Sequence, residues 1–482
     1  MTMRVLLIVP STYDWRYPGA IQPHTGIGYL AGILKKNRIE VKILDMCSRK
    51  HTRQLSPTLD IFRPQLIGIT VFSLHYERVY DLIHKIKNQG KYQVVLGGPH
   101  ISAIREAALR ESEADFAIKG EGEKTLLELC NTVEGLNPDY SNIKGLIWRS
   151  DSGVVENNDR PFIDDLDALP FPAYEEFPLE KYFCYKDKIL SIITSRGCPR
   201  RCIFCSVRLS MGGKFRPRSP ENVVAEIEHW YQQGWKNFEF QDDNFSCDMN
   251  RAKRICDLIV GKNLAIKWSL PNGVRADKLD RELLEKMRKS GCHRIALGVE
   301  SANNNVLKKI KKGTRIEQVE ETVKVIKQMG ITVVGFFIVG HPTETYERFI
   351  ESVDFARRMS FDQASFWNLI PYPGTELLEW VRNNAVLLYP EEVYLNRASY
   401  CEGRPVFETA DFSAEERRKA WQLGHSLERK SIAYWKMGRF WGSIGLAISS
   451  MPILERILVR LIKVNPMVRF CYQVLSSWIE MI

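Results

Sequence analysis

Ile189 to Cys205 reads ILSIITSRGCPRRCIFC, a short apolar run followed by cysteines at positions 198, 202 and 205. The run Ile189 to Ile193 is rich in β-branched residues and reads as a buried strand, and Gly197 and Pro199 force a loop directly after it. The three thiols therefore lie at the carboxyl end of a strand. Structural zinc sites recruit four ligands, commonly as two separated C-x-x-C pairs. Three thiolates on one loop without a partner pair leave a metal position open, which suits an iron-sulfur cluster that must bind something else. A zinc loop and reduced core cysteines are the plainer alternatives.

Working outward, five more strand-like runs follow, Asn237 to Phe240, Ile266 to Ser269, Arg294 to Gly298, Val333 to Val339 and Ala364 to Ile370, with helical patterns between them. Ser219-Pro220-Glu221 supplies an N-cap with a first-turn proline, and Asp280 opens RELLEKMRKSG, which stops at Gly291. Six βα units make an incomplete parallel barrel, whose site belongs at the carboxyl ends of its strands. Upstream, runs at Val5 to Val9, Val41 to Leu44, Leu66 to Thr70, Gln93 to Leu96 and Asp115 to Ile118 alternate with helices. That pattern predicts a five-stranded doubly wound, flavodoxin-like α/β domain whose ligands lie over the strand ends. The loops there are Gly97-Gly98-Pro99-His100 and Gly120-Glu121-Gly122-Glu123, which bring backbone close to the crevice. From Gly135 to Lys188 periodicity fades apart from short strands at Ile143 to Trp148 and Val154 to Asn157. Pro161, Pro170 and Pro172 favour extended chain there, the mark of an ordered linker.

The 482 residues, 44% hydrophobic and 26% charged, suit a globular protein of two or three domains. Eleven irregularly spaced cysteines without a secretory signal predict reduced thiols and a cytoplasmic setting. The net charge of +10 is a mild bias, and no DNA-binding module is recognisable, so nucleic acid is not an expected partner.

C-x3-C-x-aromatic-C, with Phe204 in the aromatic slot, resembles the signature of the radical SAM superfamily. Pro23 to Gly32, PHTGIGYLAG, together with the GGPH and GEGE loops, resembles the cobalamin-binding domain joined to a large class of these enzymes. The resemblance spans residues 4 to 400. It implies a cobalamin-binding Rossmann-like domain at 1–148, a linker at 149–188 and a radical SAM domain at 189–400; beyond it the residue pattern predicts a basic, helical, amphipathic region at 401–482. By the same resemblance Cys198, Cys202 and Cys205 hold a 4Fe-4S cluster, and S-adenosylmethionine chelates the fourth iron. Gln241 to Phe245 resembles the D-D-x-F segment that receives the amino group of S-adenosylmethionine, through Asp242 and Asp243. Gly298-Val299-Glu300-Ser301 resembles G-x-E-S, which serves the ribose. Gly335 to Glu344 resembles the stretch whose glycines, Gly335 and Gly340, admit the adenine; His341 has no role in that pattern. Cobalamin contacts are expected at Thr25, Gly28, Thr70, Gly97, Gly98, His100, Gly120, Glu121 and Gly122.

The wider cobalamin fold carries D-x-H-x-x-G, with the His ligating cobalt. Laying Gly28 on its last glycine puts Thr25 in the His slot, so cobalt is expected to lack a protein ligand and His24 reads as a loop histidine. The resemblance implies an enzyme that cleaves S-adenosylmethionine to a 5'-deoxyadenosyl radical. The leading expectation is methylation of an unactivated carbon of a small or lipid-like substrate, with flavodoxin or ferredoxin as electron donor. A radical cyclase or oxidase of the tetrapyrrole type is the alternative, and a non-catalytic cobalamin or redox sensor the third reading.

In the C-terminal region Ser413-x-x-Glu416 forms a capping box, and Arg429, Lys430, Lys436 and Arg439 stand among Tyr434, Trp435, Phe440 and Trp441. The uncharged run Phe440 to Leu454 falls short of the roughly 18 to 20 residues of a spanning helix. Arg456, Arg460 and Lys463 share a helical face opposite Ile453, Ile457, Leu458, Leu461 and Ile462, which predicts peripheral contact with the inner face of the membrane. Packing of that apolar face on the barrel is the alternative.

Each cysteine of the loop should be indispensable. Cys198→Ala, Cys202→Ala or Cys205→Ala is expected to abolish the cluster absorbance and S-adenosylmethionine cleavage, because each thiolate holds one iron. Iron analysis and visible spectra of the single variants check this.

Overall fold

Residues 3–10, 22–46, 54–135, 137–397 and 403–449 are described by the computed structural model. The first sheet holds β1 (Arg4–Val9), β2 (Glu40–Asp45), β3 (Leu66–Thr70), β4 (Gln93–Gly97), β5 (Phe116–Ile118), β6 (Leu146–Ser150) and β7 (Gly153–Glu156), in the order β2-β1-β3-β4-β5-β6-β7. β1 to β5 are parallel and rich in Val, Leu and Ile, as a sheet covered by helices on both faces requires. β6 and β7 form an antiparallel hairpin on the outer edge of β5. The two short strands read as part of the linker thus belong to the first sheet, and the expected boundary at 148/149 falls inside β6. The reason is edge protection: β5 is three residues long, and the hairpin covers its free backbone groups.

The second sheet contains β8 (Ile189–Ile192), β11 (Asn237–Phe240), β12 (Lys267–Val274), β13 (Cys292–Glu300), β14 (Thr332–Val339) and β15 (Gln363–Asn368), all parallel and in sequence order. A short antiparallel pair, β9 (Ser195–Arg196) with β10 (Arg216–Pro217), brackets the cysteine loop. Strand alternation buries Phe238, Trp268, Ile295 and Phe337 against the surrounding helices, the partial barrel expected from the sequence. β8 and β15 are its two open edges.

The helix Ala414–Ser449 lies along β15. Ser431 Oγ accepts the Ala364 amide (3.2 Å), and a Cβ on Gly424 would stand 2.6 Å from the Phe366 ring. Its capping box is present, with the Ser413 amide donating to Glu416 (2.9 Å) and the Glu416 amide to Ser413 Oγ (3.4 Å). The first part of the C-terminal region therefore packs on the barrel. The basic face at 456, 460 and 463 lies outside the described residues. Among the described residues no helix is long and apolar enough to cross a membrane.

Two devices join the sheets. Gly28 and Gly32, on the helix Thr25–Lys36, let that helix close on the linker: an added Cβ would lie 2.9 Å from Pro172 Cβ and 2.8 Å from the Phe171 carbonyl. Glu121, in the loop after β5, accepts from Arg196 (2.9 Å), from Arg216 (2.9 Å) and from the Ile163 amide (2.7 Å), while Glu123 accepts from Arg196 (2.7 Å). All four charged side chains are buried. Glu121, expected at cobalamin, is instead the centre of this inter-sheet ion cluster, because two guanidiniums claim its oxygens. Glu121→Gln should lower stability by about 3 kcal/mol, since it leaves two buried cations short of charge. A lower urea midpoint with unchanged cobalamin content in the folded fraction is the expected result.

Candidate functional site

Gly197 begins the cysteine loop at φ +79°, with a would-be Cβ only 2.8 Å from the Met211 carbonyl, so only glycine fits. The loop is pinned from both sides: the Cys198 amide donates to Gly212 (3.3 Å), the Ile203 amide to Ile310 (3.2 Å) and the Cys205 amide to Cys202 (3.1 Å). The three thiols are free and half-buried. Burial raises the Cys202 thiol and pushes Cys205 up to about 12, while the Lys312 ammonium opposes the shift at Cys202. Such thiols ionise only against a strong local positive charge, which is what a metal centre provides. Among the described residues no three His, Cys, Asp or Glu side chains meet closely enough for a single ion. A cluster does not need them to, since each thiolate holds a different iron.

Asp242 and Asp243 follow β11. The Asp242 carboxylate is fully engaged: it accepts from the Thr194 amide (2.6 Å), the Thr194 hydroxyl (2.5 Å) and the Ser195 hydroxyl (2.7 Å). It therefore braces the segment leading into the cysteine loop rather than facing a ligand cation. Asp243 is raised to about 6 by burial and by the Asp242 charge, with a Gly197 backbone hydrogen bond opposing the rise. Glu300 sits at φ +66° and is joined to Lys312 Nζ at 2.7 Å, both buried, and Gly298 leaves room for the pair.

Three further expectations change. Ser301 Oγ accepts the Asn303 amide (3.2 Å) and so serves the following turn. Gly335 makes room for Phe361, in the turn before β15 and 2.9 Å from a would-be Cβ, which is core packing rather than an adenine approach. Gly340, at φ +101°, is pressed against Arg417, whose Nη1 donates to the Gly340 carbonyl (3.0 Å).

The residue without an assigned role is the informative one. His341 is fully buried, its ring lies 5.7 Å from that of Phe204, and neither ring nitrogen has a hydrogen-bond partner. Burial, then Lys312 and Arg417, lower it to about 3, so the imidazole is neutral, with one donor and one acceptor unmet. Glu344 accepts the Gly340 (2.7 Å) and His341 (3.2 Å) amides through one oxygen, and its other oxygen is also unmet. Unpaired buried polar groups are costly, and a nucleoside with its own donors and acceptors fits them. The only sequence signal was an unexpected histidine within a glycine-proline turn.

Over the first sheet, a Cβ on Gly97 would meet nothing within 4 Å, so this strand end is open. Gly98, at φ +106°, lies against the Val71 carbonyl and the Thr70 hydroxyl. His100 is buried, stacked on Tyr76 at 4.6 Å, held by Ser73 through Nδ1 (3.1 Å) and unpartnered at Nε2. Gly120, at φ +73°, donates its amide to Ser102 (3.0 Å). Thr70, Gly97, Gly98, His100 and Gly120 thus gather at the carboxyl ends of β3, β4 and β5. Thr25, Gly28 and Gly122 do not join them: Thr25 bonds the Tyr174 hydroxyl (3.0 Å), Gly28 faces Pro172 and Gly122 faces Leu30. His24 caps its helix, Nδ1 accepting the Ile27 amide at 3.1 Å.

The chain matches the radical SAM superfamily over residues 192–356 and the B12 binding domain over residues 17–130. It is 32% identical to an uncharacterized methyltransferase of Pyrococcus horikoshii, across 86% of this chain and 90% of that protein. The chain belongs to the cobalamin-binding radical SAM family. Its cofactors are accordingly cobalamin, S-adenosylmethionine and a 4Fe-4S cluster. It is also 30% identical to the cytidylyl-2-hydroxyethylphosphonate methyltransferase of Streptomyces wedmorensis, across 83% of this chain and 85% of that one. The fold is shared with the radical S-adenosylmethionine methyltransferase TsrM of Kitasatospora setae, solved with cobalamin and a [4Fe-4S] cluster bound. That match has a TM-score of 0.72 at 20% identity and covers 92% of this chain and 97% of that one.

Because His24 is a helix cap, His24→Ala should cost about 1 kcal/mol of stability. It should leave the bound cobalamin spectrum and the cob(II)alamin paramagnetic resonance signal unchanged.

Proposed function

We propose that this protein methylates an unactivated carbon of a small or lipid-like substrate. The observation that carries the reading is the buried ion cluster: Arg196, two residues before Cys198, is clamped to Glu121 and Glu123 at the end of β5. The clamp ties the carboxyl end of the first sheet to the cysteine loop, as transfer between two cofactors demands. When bound, the cluster supplies the electron that cleaves S-adenosylmethionine, and cobalamin supplies the methyl group.

The chain's own residues hold and orient. Cys198, Cys202 and Cys205 anchor the cluster, and Phe204 and His341 enclose the nucleoside. Glu300, fixed by Lys312, meets the ribose hydroxyls, and Asp243 faces the amino group. Thr70, Gly97, Gly98, His100 and Gly120 cradle cobalamin. A flavodoxin or ferredoxin provides the reducing electron. That the two relatives are called methyltransferases supports transfer over ring formation.

Under anaerobic reducing conditions the protein should form 5'-deoxyadenosine, and methyl-labelled S-adenosylmethionine should pass its label to the product. Product without label would favour the cyclase or oxidase chemistry, and no 5'-deoxyadenosine at all would favour the sensor.

A further inference from the structure

Register places Ser191, Glu239, Ser269 and Arg294 side by side on β8, β11, β12 and β13. Their neighbours Leu190, Phe238, Trp268 and Ile295 belong to the helix-covered core, so alternation turns the polar four into the barrel. The level is low in the barrel. Arg294 stands six residues before Glu300 on the same strand, about 20 Å along it.

Ordinary parallel barrels fill this interior with branched apolar side chains. Here the floor is polar and unsealed: Glu239, Arg294 and Gln363 are each only partly buried. The Arg294 guanidinium donates to Gln363 Oε1 at 3.2 Å, and among the described residues no carboxylate forms an ion pair with it. Glu239, two strands away in register, acts on the Arg294 charge without an ion pair between them; its Oε2 accepts from the side-chain amides of Gln22 and Gln241 (3.2 Å for the latter). Gln22 comes from the first loop of the other sheet and also accepts from Ser191. Lys436, on the helix beside β15, brings a second positive charge close to Arg294; burial, then that charge, lower its ammonium to about 8. Above the floor the wall turns aromatic. Phe336, level with Gly298, and Trp367, level with Ile338, meet edge to face at 6.4 Å.

We propose that Arg294 binds the anionic end of the substrate at the barrel floor. The substrate is then an elongated amphiphile, carrying a carboxylate or phosphate at the end remote from the carbon that reacts. This deepens the methylation reading and rests on it, because that reading puts the substrate inside the barrel. A guanidinium fork that no ion pair locks is suited to either anion, and the aromatic wall between floor and mouth suits an apolar middle.

The test is a binding titration that needs no turnover, with full-length holoenzyme and dodecanoate, dodecyl phosphate or dodecanol as probes. At least one of the two anions should bind about tenfold or more tightly than dodecanol, and the preferred anion identifies the head group. Arg294→Gln should remove that margin while iron and cobalamin content stay unchanged, and Arg294→Lys should restore part of it. If Arg294→Gln does not accumulate, Arg294→Lys carries the comparison and should reduce the margin severalfold. Anions no tighter than dodecanol, or a margin intact in the variant compared, would overturn the proposal. Loss of labelled methyl transfer with this binding pattern intact would reject the methylation reading alone.

Discussion

The buried contact of Glu121 and Glu123 with Arg196 and Arg216 is the constraint on which the rest of the architecture depends. Four charges out of water are costly individually, and the group is tolerable because its formal charges cancel and nearby carbonyls take up part of its remaining hydrogen-bonding capacity. Arg216 donates to the Ile163 and Met211 carbonyls, and the Tyr29 ring lies under Arg196. A cluster of this kind tolerates little change in spacing. It therefore sets the distance between the strand ends of the first sheet and the cysteine loop more firmly than apolar packing, which is non-directional.

Around the cysteine loop, burial shifts titrating groups toward neutrality. The Cys205 thiol, Asp243 and Glu344 are raised, and His341 is lowered. Charges brought in by ligands therefore act in a poorly screened environment, where a sulfonium or a cluster interacts strongly with the few fixed groups. The Glu300–Lys312 pair is such a fixed group. It holds its ammonium close enough to influence both Cys202 and His341. One ion pair thus touches the metal loop and the unpartnered histidine together.

The open seam between β8 and β15 is handled differently on its two sides. The helix Ala414–Ser449 satisfies an edge amide of β15 through Ser431, and Gln22 reaches β8 and β11 from the loop after β1. Both elements lie far in sequence from the strands they meet. Gln22 reaches the inward-facing Ser191 and Glu239, so the second sheet owes part of its chemistry to a segment outside its own βα units.

Every parallel strand of both sheets was legible in the sequence, because runs such as VLLIV and TVVGFFIV are short, apolar and bounded by turn residues. The cysteine loop was equally legible, since three thiols on seventeen consecutive residues with a glycine turn form a local pattern. Local chemistry is what a sequence records directly. Which face a side chain takes, and which distant group claims it, depends on long-range contacts that spacing does not encode. Asp242 and Glu121 read as ligand carboxylates and proved to be engaged by Thr194 and by Arg196 and Arg216. Gly28 and Gly335 read as approach points for cofactors and proved to make room for Pro172 and Phe361. His341 had no role in the sequence pattern, and only its burial showed two unmet nitrogens. The sequence determined the strands, the turns and the metal-binding loop through short-range preference. The tertiary structure alone decided which polar groups remain free for ligands, because that depends on what the packed chain has already paired.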